Sequence, residues 1–136
     1  MKFFLKTAPL LAGLLSFSVF ADVAVIVNPS NNSELSKSDI SKIFLGKSKT
    51  FSNGESVVAV NLKSNSATRD SFQKEVLGKS KSQVKAYWSK LIFTGKGKPL
   101  KEFNNDKEVI AFIASTPNAI GYVDSSQVDG SVKVVN

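Results

Sequence analysis

The stretch KSNSATRDSF, residues 63–72, carries the only arginine of the chain, Arg69, against seventeen lysines. Ser64, Asn65, Ser66 and Thr68 crowd short side-chain donors into the positions just before it. The segment follows an apolar run and opens a helical pattern. A helix start presents backbone N–H groups without intrahelical acceptors and a partial positive charge, which together suit an anion. Ala67 is small enough for a ligand to approach the backbone, and a guanidinium can grip two oxygens of a tetrahedral oxyanion where an ammonium cannot. Ser66, Ala67, Thr68 and Arg69 are therefore the primary oxyanion-binding candidates, with Lys63, Ser64 and Asn65 as secondary ones. The same residues also admit a plainer reading. Ser66 is then an ordinary N-cap, Thr68 fills a first turn, and Arg69 pairs at the surface with Asp70 or Glu75.

The elements that must position this segment follow from hydrophobic periodicity. VAVIVN (23–28) and SVVAVNL (56–62) are apolar runs that predict strands buried on both faces. LSKSDISKIFLG predicts a short helix with Ser36 and Asp39 in a capping-box spacing and Gly46 at its end. Residues 66–77 are helical in pattern and close on Gly78, with Phe72 and Val76 inward. SQVKAYWSKLIF is the clearest amphipathic helix, and its spacing places Tyr87 and Trp88 in the core rather than on a sugar-stacking surface. TGKGKP is a loop. A helix follows over 106–115, then strands over 119–123 and 131–135. The order predicts an α/β domain with a mostly buried sheet flanked by helices.

The two GKS triplets, at Gly46 and Gly78, do not make a phosphate-binding P-loop. Each lacks the earlier glycine that the motif requires; Ser41 stands there in the first. Each also sits where a helix ends, offering the negative end of the dipole to a phosphate.

Composition narrows the function classes. The chain has no cysteine and no histidine, which removes disulfides, a lipid-modified cysteine, the usual zinc and copper sites and every histidine-dependent triad. No metal, cofactor or catalytic residue is expected, and no motif argues for an enzyme. Residues 1–21 read as an export leader: Lys2 and Lys6 precede a short apolar run, and Val19 and Ala21 are the small residues of a cleavage site. The expected domain is 22–136, periplasmic in a Gram-negative cell and without a membrane anchor. The net charge of +7 falls to about +5 without Lys2 and Lys6, a balance that favours anionic partners. Nucleic acid is not expected, because the lysines are spread along the chain without interleaved exposed aromatics.

Four blocks, LSKSDISKIFLGK, SNSATRDSF, AYWSKLIFTGKGKP and TPNAIGYV, resemble in order the small periplasmic phosphate-binding-protein-like domain, related to the substrate-binding protein of phosphate ABC transporters. The resemblance covers about 23–123. It implies a single-lobe periplasmic-binding-protein-like fold, a mixed sheet flanked by helices, and reversible binding of phosphate or a related oxyanion linked to phosphate uptake. Ser66, Ala67 and Thr68 match the family's Ser-Gly-Thr segment, with alanine in place of glycine. Leu62 and Lys63 stand where the family carries an earlier arginine. Ligands of a second lobe have no counterpart, so a homodimer or a partner protein would complete the cleft, and an ABC permease would be the membrane partner. The alternative is a non-catalytic interaction or structural module that keeps the fold without the ligand, with the basic loop 94–101 as its docking surface.

Overall fold

The computed structural model describes residues 22–136; the export leader expected over 1–21 lies outside the described residues. Five strands form one mixed sheet: β1 (Val23–Val27), β2 (Val58–Leu62), β3 (Lys101–Phe103), β4 (Ala119–Asp124) and β5 (Lys133–Val134). The helices are α1 (Lys37–Phe44), α2 (Ala67–Phe72), α3 (Lys81–Phe93) and α4 (Asp106–Ser115). The strand order is β3-β2-β4-β1-β5. β2 runs parallel to both β3 and β4, whereas β1 is antiparallel to β4 and β5.

β1 and β4 are the buried centre of the sheet, as their unbroken apolar runs require. β2 departs from expectation. It starts at Val58 rather than Ser56, and only Val60 and Leu62 are buried, because a single short edge strand flanks it on one side. That strand, β3, is absent from the periodicity reading: KEF has no alternation to reveal it, and parallel pairing with β2 alone makes it a strand. β5 spans two residues, shorter than expected. Beyond it the Asn136 side chain substitutes for a strand, accepting from Val25 N at 2.8 Å and donating to Val23 O at 2.9 Å.

Local signals set the helix boundaries. Ser36 and Asp39 exchange the two bonds of a capping box on α1. After α2 the chain continues in one wider turn, Gln73–Leu77, and stops at Gly78, whose φ of 67° is the left-handed conformation glycine tolerates. The C-terminal carbonyls of α4 are satisfied by a buried side chain: Asn28 Nδ2 donates to Ile113 O and Ala114 O, each at 3.0 Å.

Tyr87 and Trp88 are only half-buried, against the expectation of core positions. They cap α1 instead. Tyr87 Oη donates to Leu45 O at 2.6 Å and Trp88 Nε1 to Phe44 O at 3.2 Å. Among the residues of α3 only Val84 is fully buried. The helix rides on the rim of the domain, where two carbonyls at the end of α1 need donors.

The aromatic core lies under β2 and β4. Phe72 stacks on Tyr122 with ring centroids 3.9 Å apart, and Phe44 meets Phe72 edge-on at 4.7 Å. On the other face α4 approaches β4 closely at Gly121, where an added Cβ would sit 3.0 Å from Val109 Cγ1 and from Val60 Cγ2. Both neighbours are β-branched and stiff. Gly121→Ala is therefore expected to cost about 1–3 kcal/mol by overpacking, read as a lower urea midpoint at unchanged slope; an unchanged midpoint would contradict this packing.

Candidate functional site

The site is built where β2 and β4 part. The two strands pair only at Val58 with Ala119 and at Ala59 with Ile120. Farther along, the Tyr122 side chain takes over. Leu62 N donates to Tyr122 Oη at 3.3 Å, and Tyr122 Oη donates to Asn61 Oδ1. Burial pushes the Tyr122 phenol far above its usual range, so it keeps its proton and remains a donor. The Leu62 carbonyl accepts from Arg69 Nη1 at 2.9 Å, and the same nitrogen contacts Glu102 Oε2 at 2.8 Å.

This clamp aims the chain into the turn that precedes α2. Lys63 N donates to Phe103 O, and Ser66 N donates to Lys63 O at 3.0 Å. Ser66 then caps α2, its Oγ accepting from Arg69 N at 3.2 Å. The hydroxyl proton is left free to donate outward. The N–H groups of Ala67 and Thr68, the first two of the helix, have no intrahelical acceptor by construction. Lys63, Ser64, Asn65 and Ala67 are exposed, and Thr68 is half-buried.

A second helix start opens beside the first. β3 leads directly into α4, whose cap Asn105 accepts from Glu108 N at 2.9 Å. Ser66 and Leu62 share one shallow depression of about 400 Å³ with Asn105, Asp106, Lys107 and Gln127. It lies at the carboxyl ends of the parallel strands β2 and β3, the place where α/β sheets offer a crevice to ligands. Lys107 supplies a positive side chain at its rim. Asp106 supplies the opposite: burial raises its carboxyl above the ordinary range, offset in part by Asp124 N donating to it at 3.2 Å and reinforced by the Asp124 charge.

The sequence candidates do not all meet there. Ser66 lines this depression. Ser64 and Arg69 line a different groove, of about 340 Å³, beneath α3 with Gln73, Trp88 and Glu102. In that groove Arg69 faces the carboxylate of Glu102 and an acceptor carbonyl, so much of its charge is already met. Its side chain is 16 % exposed and that of Glu102 47 %. Neither Asp70 nor Glu75 is the partner of Arg69. Asn105, Asp106 and Lys107, which line the depression with Ser66, are not among the residues the sequence singles out, although NND before an apolar helical pattern is a recognisable helix start.

A family profile described as the PBP superfamily domain matches residues 18–134. Among solved structures, the chain is similar to an ABC-type phosphate transport receptor from Vibrio cholerae. That match has 19 % identity and a TM-score of 0.65, over 84 % of this chain and 45 % of the other. It is similar also to a putative phosphate ABC transporter substrate-binding protein from Clostridium perfringens, solved with bound phosphate. Here identity is 25 % and the TM-score 0.67, over 84 % and 44 % of the two chains. PstS from Borrelia burgdorferi matches with 15 % identity and a TM-score of 0.64, over 84 % and 46 %. The chain thus spans just under half the length of these proteins. No curated protein matches it. Among the described residues no helix is long and apolar enough to cross a membrane.

The clamp has a measurable consequence. Arg69→Ala leaves the Leu62 carbonyl without its partly buried donor and is expected to cost about 1–3 kcal/mol of stability. Glu102→Gln removes a charge that water already screens and is expected to cost less than about 1 kcal/mol. Urea unfolding of both variants checks the order; equal losses would show that the ion pair, not the bond to Leu62, matters. With its sheet of five strands flanked by helices and a profile match over most of its length, the chain belongs to the PBP superfamily domain family.

Proposed function

We propose that the chain is an exported, periplasmic binding protein that holds phosphate or a related oxyanion reversibly, without chemistry, and serves phosphate uptake through an ABC permease. One observation carries the reading: two capped helix starts, at Ser66 and Asn105, open on the same depression at the carboxyl ends of β2 and β3. The ligand's oxygens are received by the Ser66 hydroxyl and by the first-turn N–H groups of Ala67 and Thr68, with Lys107 balancing charge. Arg69 supports the site by holding the end of β2, and Lys63 and Asn65 lie on the exposed turn before Ser66, with Ser64 turned to the other groove. The solved structures named for phosphate transport are consistent with this chemistry.

Asp106 adds a basis for selectivity. A carboxylate repels a fully ionised oxyanion such as sulfate, but it accepts a hydrogen bond from a phosphate that still carries a proton. The depression is open on one side. Charge pairs there are screened by water, so a second chain or a partner protein that closes it raises the affinity.

Thermal unfolding of residues 22–136 with phosphate, sulfate or chloride at matched ionic strength tests the proposal. Phosphate at about 100 times its dissociation constant stabilises the fold by roughly 2.7 kcal/mol, or about 10 °C for a domain of this size. Phosphate is expected to exceed sulfate, and Asp106→Asn to narrow the gap. Ser66→Gly keeps a tolerated cap but removes the hydroxyl, and is expected to weaken phosphate about tenfold. No shift with any anion would overturn the proposal in favour of an interaction module, a reading that the basic, exposed face of α3 supports.

A further inference from the structure

The positive charge of this chain has one source. The stretch 79–101, which contains α3 and the loop after it, holds seven lysines and no acidic residue. Of the 18 basic residues two lie in 1–21. The nine elsewhere face all 11 acidic residues, so the rest of 22–136 carries a net charge of −2. Lysines that look scattered along the chain thus concentrate the net charge of 22–136 in one stretch, α3 and the loop after it.

The surface of that stretch is free and partly apolar. Phe93, at the end of α3, is 91 % exposed, and Ile92 beside it is 40 % exposed. Val84, Tyr87 and Leu91 mark the inward side of the helix, so at 3.6 residues per turn Phe93 points away from the domain, between the flanking Lys85 and Lys90. The loop is held close to this tip. Gly97 packs so tightly on α3 that an added Cβ would sit 2.9 Å from Leu91 Cδ2 and 3.1 Å from Trp88 Cζ3. Lys96 and Lys98, on either side of it, are exposed at the same C-terminal end of α3 as Phe93, on the opposite flank of the helix. Among the described residues Lys81 is the one lysine of the stretch that approaches a carboxylate, Asp70 at 4.0 Å. Lys101 is occupied differently, lying over the rings of Phe103 and Phe112.

We infer that the C-terminal end of α3 docks the protein peripherally on an anionic phospholipid surface, with Phe93 entering the headgroup layer and Lys85, Lys90, Lys96 and Lys98 meeting lipid phosphates. The residue types select this occupant. Cores of protein–protein interfaces favour arginine and are depleted in lysine, because paired recognition rewards a planar fork of donors. A lipid surface presents diffuse, mobile charge, for which hydrated point charges on flexible stems suffice. A second copy of the chain does not suit as a symmetric partner, since it would set Lys85, Lys90, Lys96 and Lys98 against the same four lysines. The interaction is one of attachment to the surface; no described helix is long and apolar enough to span.

Co-sedimentation of residues 22–136, which contain every described element, with lipid vesicles tests the inference. Vesicles of phosphatidylcholine with about 30 % phosphatidylglycerol are expected to bind the protein at low salt, and pure phosphatidylcholine is not. Replacing Lys85, Lys90, Lys96 and Lys98 together by glutamine is expected to weaken binding more than about a hundredfold, at roughly fivefold for each lysine. Phe93→Ser is expected to weaken it about tenfold. All the altered side chains are exposed, and circular dichroism and the unfolding midpoint should match the parent. Failure to bind anionic vesicles overturns the inference, and retention on poly-glutamate in that case assigns the face to an acidic protein. Binding that survives the fourfold lysine replacement, or that ignores Phe93→Ser, overturns it equally.

Discussion

The peptide groups of Leu62 are the point on which the site depends. β2 and β4 are parallel neighbours for two residue pairs and then separate, so a buried N–H at the end of β2 loses the strand partner it would otherwise have. An unpaired buried donor costs on the order of 1–3 kcal/mol. Tyr122 supplies the missing partner from β4, and Arg69 reaches back from α2 to take the carbonyl of the same residue. The same separation that creates the problem creates the crevice. Once both ends of Leu62 are tied, the turn, the Ser66 cap and the direction of α2 follow with little freedom.

Formal charge is used sparingly at this crevice and generously elsewhere. The depression has Lys107 and Asp106 as its opposed charged side chains and is otherwise lined by the uncharged residues Leu62, Ser66, Asn104, Asn105 and Gln127. Short side chains such as Ser66 and the asparagines lose less entropy on being ordered than long, flexible ones. On the rim, α3 carries lysines on flexible stems around an exposed aromatic ring. One arrangement suits a small ligand that must be distinguished from others, the other a broad surface that need not be.

The size of the chain sets a further constraint. It spans just under half the length of the solved structures it matches, and the carboxyl ends of β2 and β3 face water on one side. The field of a helix start falls off within its first turn and is weakened by solvent and salt. On the proposed function, a crevice open in this way would gain affinity by being covered.

The sequence by itself determined the helices, the central strands and the start of α2. Capping residues, glycine stops and apolar spacing act within a few residues, so Ser36, Gly78 and the run AIGYV could be read without knowing their neighbours. The serine-rich segment at 63–68 was legible for the same reason. Tertiary structure decided the rest. KEF becomes β3 only because β2 lies alongside, and Trp88 leaves the core because the end of α1 needs a donor forty-four residues away in sequence. It also parted Arg69 from the mouth that Ser66 lines and brought Asn105, Asp106 and Lys107 to it. Those choices rest on hydrogen-bond partners and charges supplied by distant strands, and no local pattern encodes which distant group will arrive.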